Sequence, residues 1–157
     1  MLFQWSIEHI FVLAYTKDDF LQRLLTEDKF NDVWFVVEEE KIGASRMHMA
    51  ACSEVFEKML IGEFKEAQQT EIVIAEAKSK VFKLLLEYCY LFSINLKCLN
   101  DDELVELLKL SHRFQTAELF NAVQSYLLNY LSITDDNFVF WDSKVDEIGE
   151  TYGVEKM

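Results

Sequence analysis

Apolar and polar positions change their period about midway along the chain, dividing the expected structure into a strand-bearing first half and a helical second half. The first periodic segment, Asp18 to Leu25, carries Phe20, Leu21, Leu24 and Leu25 at i, i+1, i+4, i+5 spacing, which draws one apolar stripe along a short helix. Such a stripe needs something to cover it. The run Val33-Trp34-Phe35-Val36-Val37 is β-branched and aromatic throughout and predicts a strand buried on both faces. Glu38, Glu39 and Glu40 then form a polar turn. Lys41 to Ala44 predicts the returning hairpin strand, with Ile42 inward and Gly43 relaxing the backbone.

From Arg46 to Ile61, Met47, Ala50, Ala51, Val55, Phe56, Met59 and Leu60 fall at helical spacing, with Ser53 the N-cap between two short helices. Glu71 to Ile74 predicts a third strand. Ser79 is expected to cap a helix through Val81, Phe82, Leu85, Leu86 and Cys89, and Asn100 with Glu103 makes a capping-box pattern for a second helix reaching Phe114. Thr116 is expected to cap a third, Ala117 to Leu131, with Leu119, Phe120, Val123, Leu127 and Leu131 on its apolar face. The fold class is α+β: a small three-stranded sheet and a helical cluster.

Composition narrows the function. With 157 residues, 51% of them hydrophobic and 14% aromatic, the chain fits one domain with a genuine core. Proline is absent and glycine occurs four times, so no linker or repeat divides the chain. A formal charge of −13 repels a phosphate backbone, and no basic patch offsets it, so the expected partners are proteins and not nucleic acid. The three cysteines, Cys52, Cys89 and Cys98, stand at irregular spacing that suggests neither a disulfide framework nor a zinc motif. Reduced thiols fit the cytoplasm or nucleus. Met1 to Tyr15 is apolar but lacks a basic start and is interrupted by Glu8 and His9, which argues against a signal peptide, and no apolar run reaches the roughly 20 residues needed to cross a bilayer.

Candidate chemistry is sparse. His48 and Cys52 stand four apart, the minimum geometry for a thiolate and a base, but no third group is evident to orient the histidine, and the pair reads first as buried and structural. His9 and His112 are isolated. Phosphate-cradling glycine motifs and HExxH are absent, so neither an enzyme nor a cofactor or metal site is expected.

The run Phe30-Asn31-Asp32-Val33-Trp34-Phe35-Val36-Val37, then Ile42-Gly43-Ala44-Ser45-Arg46 leading into Ala50-Ala51-Cys52-Ser53-Glu54-Val55-Phe56, resembles the opening of BTB/POZ domains. That family has an aspartate-valine strand, a hairpin, an A-H-R step and an A-A-x-S-x-x-F helix in this order. Met59 to Glu66 resembles its φ-x-x-G-x-φ-x-E segment, Glu71-Ile72-Val73-Ile74 its I-x-I strand, and Val81 to Tyr90 its F-x-x-L-L-x-Y-x-Y helix. The likeness covers residues 18–131, leaving an N-terminal extension over 1–17 and, over 132–157, a partial BACK-like helical extension, as expected of a short or truncated member without the substrate-binding half of larger relatives. Departures are visible. Gly43 replaces the usual proline, Ser45 the usual histidine, and Phe92 the glycine that usually ends the helix after Tyr88-Cys89-Tyr90.

The resemblance implies a protein-binding module with two surfaces. One is a homodimer seam in which Phe20, Leu21, Leu24 and Leu25 meet a second copy, beside a charged pocket holding Asp32 and Arg46 as a pair. The other is a ubiquitin-ligase docking site in which Met59, Phe64 and Glu66 meet a cullin-3 scaffold, making the chain a substrate adaptor for a substrate the sequence does not name. The alternative within the family is a pure oligomerisation or transcriptional co-regulator recruitment module. A scaffold role like that of the elongin C branch is disfavoured by the helix over Asp18 to Leu25.

Overall fold

The computed structural model describes residues 19–130; the expectations for 1–17, for Asp18, and for the BACK-like segment and Leu131 lie outside the described residues. The described residues fall into two compact units divided between Asn95 and Leu96.

In the first unit, helix α1 (19–26) and a single 3-10 turn (Asp28–Phe30) lead into the sheet. Strand β1 (Val33–Val37) is central, β2 (Glu40–Ala44) pairs with it antiparallel and β3 (Glu71–Val73) pairs parallel, in the order β2-β1-β3. Phe35 stands opposite both Ile42 and Ile72. The expectation that β1 is buried on both faces is corrected: Val33, Phe35 and Val37 are fully buried, whereas Trp34 and Val36 on the other face are only partly covered. A continuous apolar run cannot reveal this, because one-sided burial is set by what packs on the second face.

The hairpin turn is made by Glu38 (φ 53°) and Glu39 (φ 84°), both in the left-handed region that such two-residue turns require and usually fill with Asn or Gly. Glu38 also reaches away from the turn. Its Oε2 accepts the Ser79 N–H at 2.9 Å. Helix α4 (Ser79–Leu91) starts one residue earlier than expected, at Ser79 itself, with Lys78 at the N-cap position and the hairpin carboxylate supplying the acceptor. Gly43 leaves room for the Asn31 side chain, which would have to move for a Cβ there, since that atom would lie 2.2 Å from Asn31 Nδ2.

Helices α2 (Arg46–Cys52) and α3 (Glu54–Leu60) join at Ser53, whose Oγ accepts from Val55 N at 3.1 Å and Phe56 N at 3.3 Å, as expected of an N-cap. Met47, expected on the apolar face, is 76% exposed, and Met49 is buried in its place. Phe35 anchors the core between Phe56 (centroids 5.7 Å) and Phe82 (5.2 Å, edge to face). Each such ring pair adds about 0.5–1.5 kcal/mol beyond its burial. Helix α4 ends with Phe92 in the left-handed conformation (φ 52°, ψ 28°), its N–H bonded to the Tyr88 carbonyl, so the family's glycine geometry survives without the glycine.

In the second unit, α5 (Asp101–Arg113) opens with the expected capping box: Asn100 Oδ1 accepts from Glu103 N at 2.9 Å, and Glu103 Oε2 accepts from Asn100 N at 3.1 Å. It packs against α6 (Ala117–Tyr130), whose Leu119, Val123 and Leu127 are buried at four-residue intervals. Thr116 stands immediately before α6, where its cap was expected, and its carbonyl accepts the Phe120 N–H at 2.9 Å. Its hydroxyl donates to the Ser111 carbonyl at 3.2 Å, so it bridges the end of α5 to the tight turn at Gln115 (φ 51°).

Candidate protein-interaction surfaces

The C-terminal end of α3 and the turn after it bring Met59, Phe64 and Glu66 together. Leu60 closes α3, and the Ile61 and Gly62 N–H groups both bond to the Glu57 carbonyl, at 2.9 and 3.2 Å. Phe64 then stands at the head of a 3-10 turn (Lys65–Gln68). Between helix and turn lies a depression of about 320 Å³ lined by Val55, Lys58, Met59, Phe64 and Glu66. Phe64 is 59% exposed. Neither Val55 nor Lys58 was expected at this site from the sequence. Their signal is helical spacing alone, which puts 55, 58 and 59 on one face.

Arg46 ties this segment down. Its Nη1 donates to the Leu60 carbonyl at 2.9 Å and the Ala67 carbonyl at 3.2 Å, and its Nη2 to the Gln69 carbonyl at 2.7 Å. The planar guanidinium thus spans the end of α3 and the 3-10 turn, a fork that a lysine cannot reproduce. The expected Asp32–Arg46 charge pair takes another form. Asp32 Oδ1 accepts from the Arg46 backbone N–H at 2.6 Å, capping the start of α2, while the guanidinium faces carbonyl oxygens. Residue types alone cannot say which end of an arginine a carboxylate meets.

The α1 stripe is incompletely covered: Phe20 is 59% exposed, and Leu21, Leu24 and Leu25 are partly so. On the polar side, Arg23 Nε bonds Glu27 at 2.6 Å and Lys29 Nζ meets the same carboxylate at 2.5 Å. Arg23 first, then Lys29, holds the Glu27 carboxyl down to about 2.

His48 and Cys52 are not the buried pair expected. Both are partly exposed, and groups that the sequence did not reveal orient the imidazole: it stacks on Tyr90 at 4.2 Å, and its Nε2 lies 2.9 Å from the Cys89 carbonyl oxygen. Among the described residues no helix is long and apolar enough to cross a membrane.

A three-stranded sheet bearing short helices, with exposed apolar side chains at two helix ends, defines a small protein-interaction domain. The BTB/POZ domain model matches residues 21–131, and the chain belongs to that family. It is 34% identical over 113 residues to BTB/POZ domain-containing protein 9 of Drosophila melanogaster, covering 72% of this chain and 16% of that protein. It is 31% identical over 114 residues to human Kelch-like protein 41, covering 73% of this chain and 18% of that protein. The chain thus spans less than a fifth of the length of these relatives. The BTB domain of human Gigaxonin shares the fold, with a TM-score of 0.61 at 16% identity over 81% of this chain and 98% of the Gigaxonin domain.

Proposed function

We propose that this BTB domain self-associates through α1 and serves, without bond chemistry or a cofactor of its own, as a substrate adaptor that docks a cullin-3 type ligase scaffold. The observation that carries this reading is the convergence of Met59, Phe64 and Glu66 on one depression, with the Phe64 ring 59% exposed in a strongly acidic chain. An aromatic ring fixed by a clamped loop beside an apolar hollow is pre-organised as an anchor. Glu66 adds charge complementarity and association rate. The net charge of −13 favours protein partners over nucleic acid. The uncovered α1 stripe supports the plainer second reading, an oligomerisation or co-regulator-recruiting module with no ligase contact.

Calorimetry against the N-terminal region of cullin-3 tests the first reading, with solution mass measured on the same samples. Burying the exposed part of Phe64 is worth about 2 kcal/mol, so Phe64→Ala should raise Kd roughly 30-fold. Glu66→Lys should also weaken binding, chiefly through the on-rate. A folded dimer that shows no heat of binding would leave the oligomerisation module as the better account.

A further inference from the structure

The hollow between α3 and the turn after it carries one cation and one anion, on different walls. Val55, Lys58 and Met59 come from α3 at i, i+3, i+4, and Phe64 and Glu66 come from the turn. Among the described residues, neither the Lys58 ammonium nor the Glu66 carboxylate meets an opposite charge or a hydrogen-bond partner. Lys65, next to Glu66, is exposed but does not line the hollow. The Arg46 fork grips Leu60 at the end of α3 and Ala67 and Gln69 around the turn, so the two walls keep one spacing. Lys58 suits the last turn of a helix, which accounts for its charge but not for its place beside an exposed aromatic ring.

The sign of Lys58 runs against its surroundings. The chain carries −13, and Glu54, Glu57 and Glu63 are exposed along the same segment. A field of that sign draws in basic segments whatever their order of residues. A uniformly basic segment seated in the hollow would set a like charge against Lys58, which is destabilising, whereas an acid at that point turns the same residue into an attraction. Glu66 makes the opposite demand from the other wall. The two charges together therefore also fix direction: an acid faces α3 and a base faces the turn.

We propose that Lys58 and Glu66 select a protein segment of mixed charge: an apolar side chain seated against Val55, Met59 and Phe64, a carboxylate toward Lys58, and an ammonium or guanidinium toward Glu66. This rests on the reading of the hollow as a docking site and adds the chemistry of the partner it fits. Lys58 is the specificity-determining residue, because it rejects the purely basic segments that the overall charge attracts. Both pairs lie at an exposed rim, so they contribute more to partner choice and association rate than to affinity.

Lys58→Glu in the full chain decides by sign, because it removes the attraction to an acid while making the chain more negative. In calorimetry against the N-terminal region of cullin-3 it should raise Kd about fivefold at low salt, and Lys58→Met, which keeps the aliphatic stem, about twofold, with the far-ultraviolet circular dichroism unchanged. Both losses should shrink as salt is raised to about 0.5 M. Unchanged or tighter binding by Lys58→Glu, or a loss that salt does not reduce, overturns the proposal. A wild type that binds no cullin-3 fragment defeats the adaptor reading alone, and the charge reading is then decided with random peptides displayed on phage, selected on the wild-type chain and counter-selected on Phe64→Ala. The selected peptides should carry an acid and a base on either side of an apolar residue. Exchanging that acid for lysine should abolish binding to wild type and restore it on Lys58→Glu. Peptides enriched in bases alone, or none that depend on Phe64, overturn the proposal.

Discussion

Gly62→Ala is the sharpest test of how the turn from α3 to Phe64 is built. A Cβ at Gly62 would lie 2.4 Å from the Lys58 carbonyl oxygen and 3.1 Å from the Lys58 carbonyl carbon. Both are backbone atoms inside α3, so no side-chain rotation relieves the overlap. Relief requires the last turn of α3 to open, which lengthens the Ile61 and Gly62 hydrogen bonds to the Glu57 carbonyl. Overpacking costs about 1–3 kcal/mol and one weakened bond up to about 1 more, so we expect a loss near 2 kcal/mol. For a chain of this size that lowers Tm by about 4–8 °C. Thermal unfolding followed by far-ultraviolet circular dichroism, at one fixed protein concentration because a self-associating chain has a concentration-dependent Tm, measures it. Glu63→Ala, exposed on the same turn, is the control and should change Tm little. The opened turn also displaces Phe64, so on the proposed adaptor reading the affinity for cullin-3 should fall further than the stability loss explains. A Gly62→Ala variant within one degree or so of wild type would refute the close-approach account of this glycine.

Three further outcomes follow from the same geometry. Asp32→Asn keeps an oxygen for the Arg46 N–H and should stay within about 0.5 kcal/mol of wild type by urea unfolding, whereas Arg46→Met strips three carbonyl oxygens of their donor and should cost about 2 kcal/mol; equal losses would favour a side-chain ion pair instead. Tyr90→Phe removes the acceptor for the Ser45 N–H and should cost about 1–2 kcal/mol in the same assay, with an unchanged m-value. The Glu27 carboxyl, held down to about 2, is a depressed acid: its contribution is complete above the ordinary carboxylate range and is lost as pH falls toward 2. Carbon-detected titration should place its midpoint there, and Arg23→Gln should raise it toward the ordinary value; an unmoved midpoint removes Arg23 as the cause.

Local rules carried much of this protein into the sequence. Ser53 between two apolar-periodic stretches marks an N-cap because its hydroxyl can accept the orphan N–H groups of the turn that follows, and Asn100 with Glu103 marks another, since each satisfies the other's orphan donor within four residues. The β-branched run at Val33–Val37 and the periodic apolar positions of α4 to α6 were legible for the same reason: propensity and period act over a few residues. The order of the motifs pointed to the family without any contact being known.

What only tertiary structure decided are pairings between distant residues. Glu38 replaces Ser79 as the acceptor at the start of α4 from 41 residues away. The Arg46 guanidinium turns from Asp32 to the carbonyls of residues 14 to 23 positions later, and in doing so holds the loop that presents Phe64. The Cys89 carbonyl, 37 residues beyond Cys52, gathers both side chains of the i, i+4 pair His48 and Cys52 onto one acceptor. Each depends on where a side chain ends after the sheet and helices have packed, and polar atoms settle on whichever partner that packing brings within about 3 Å, which no local pattern encodes.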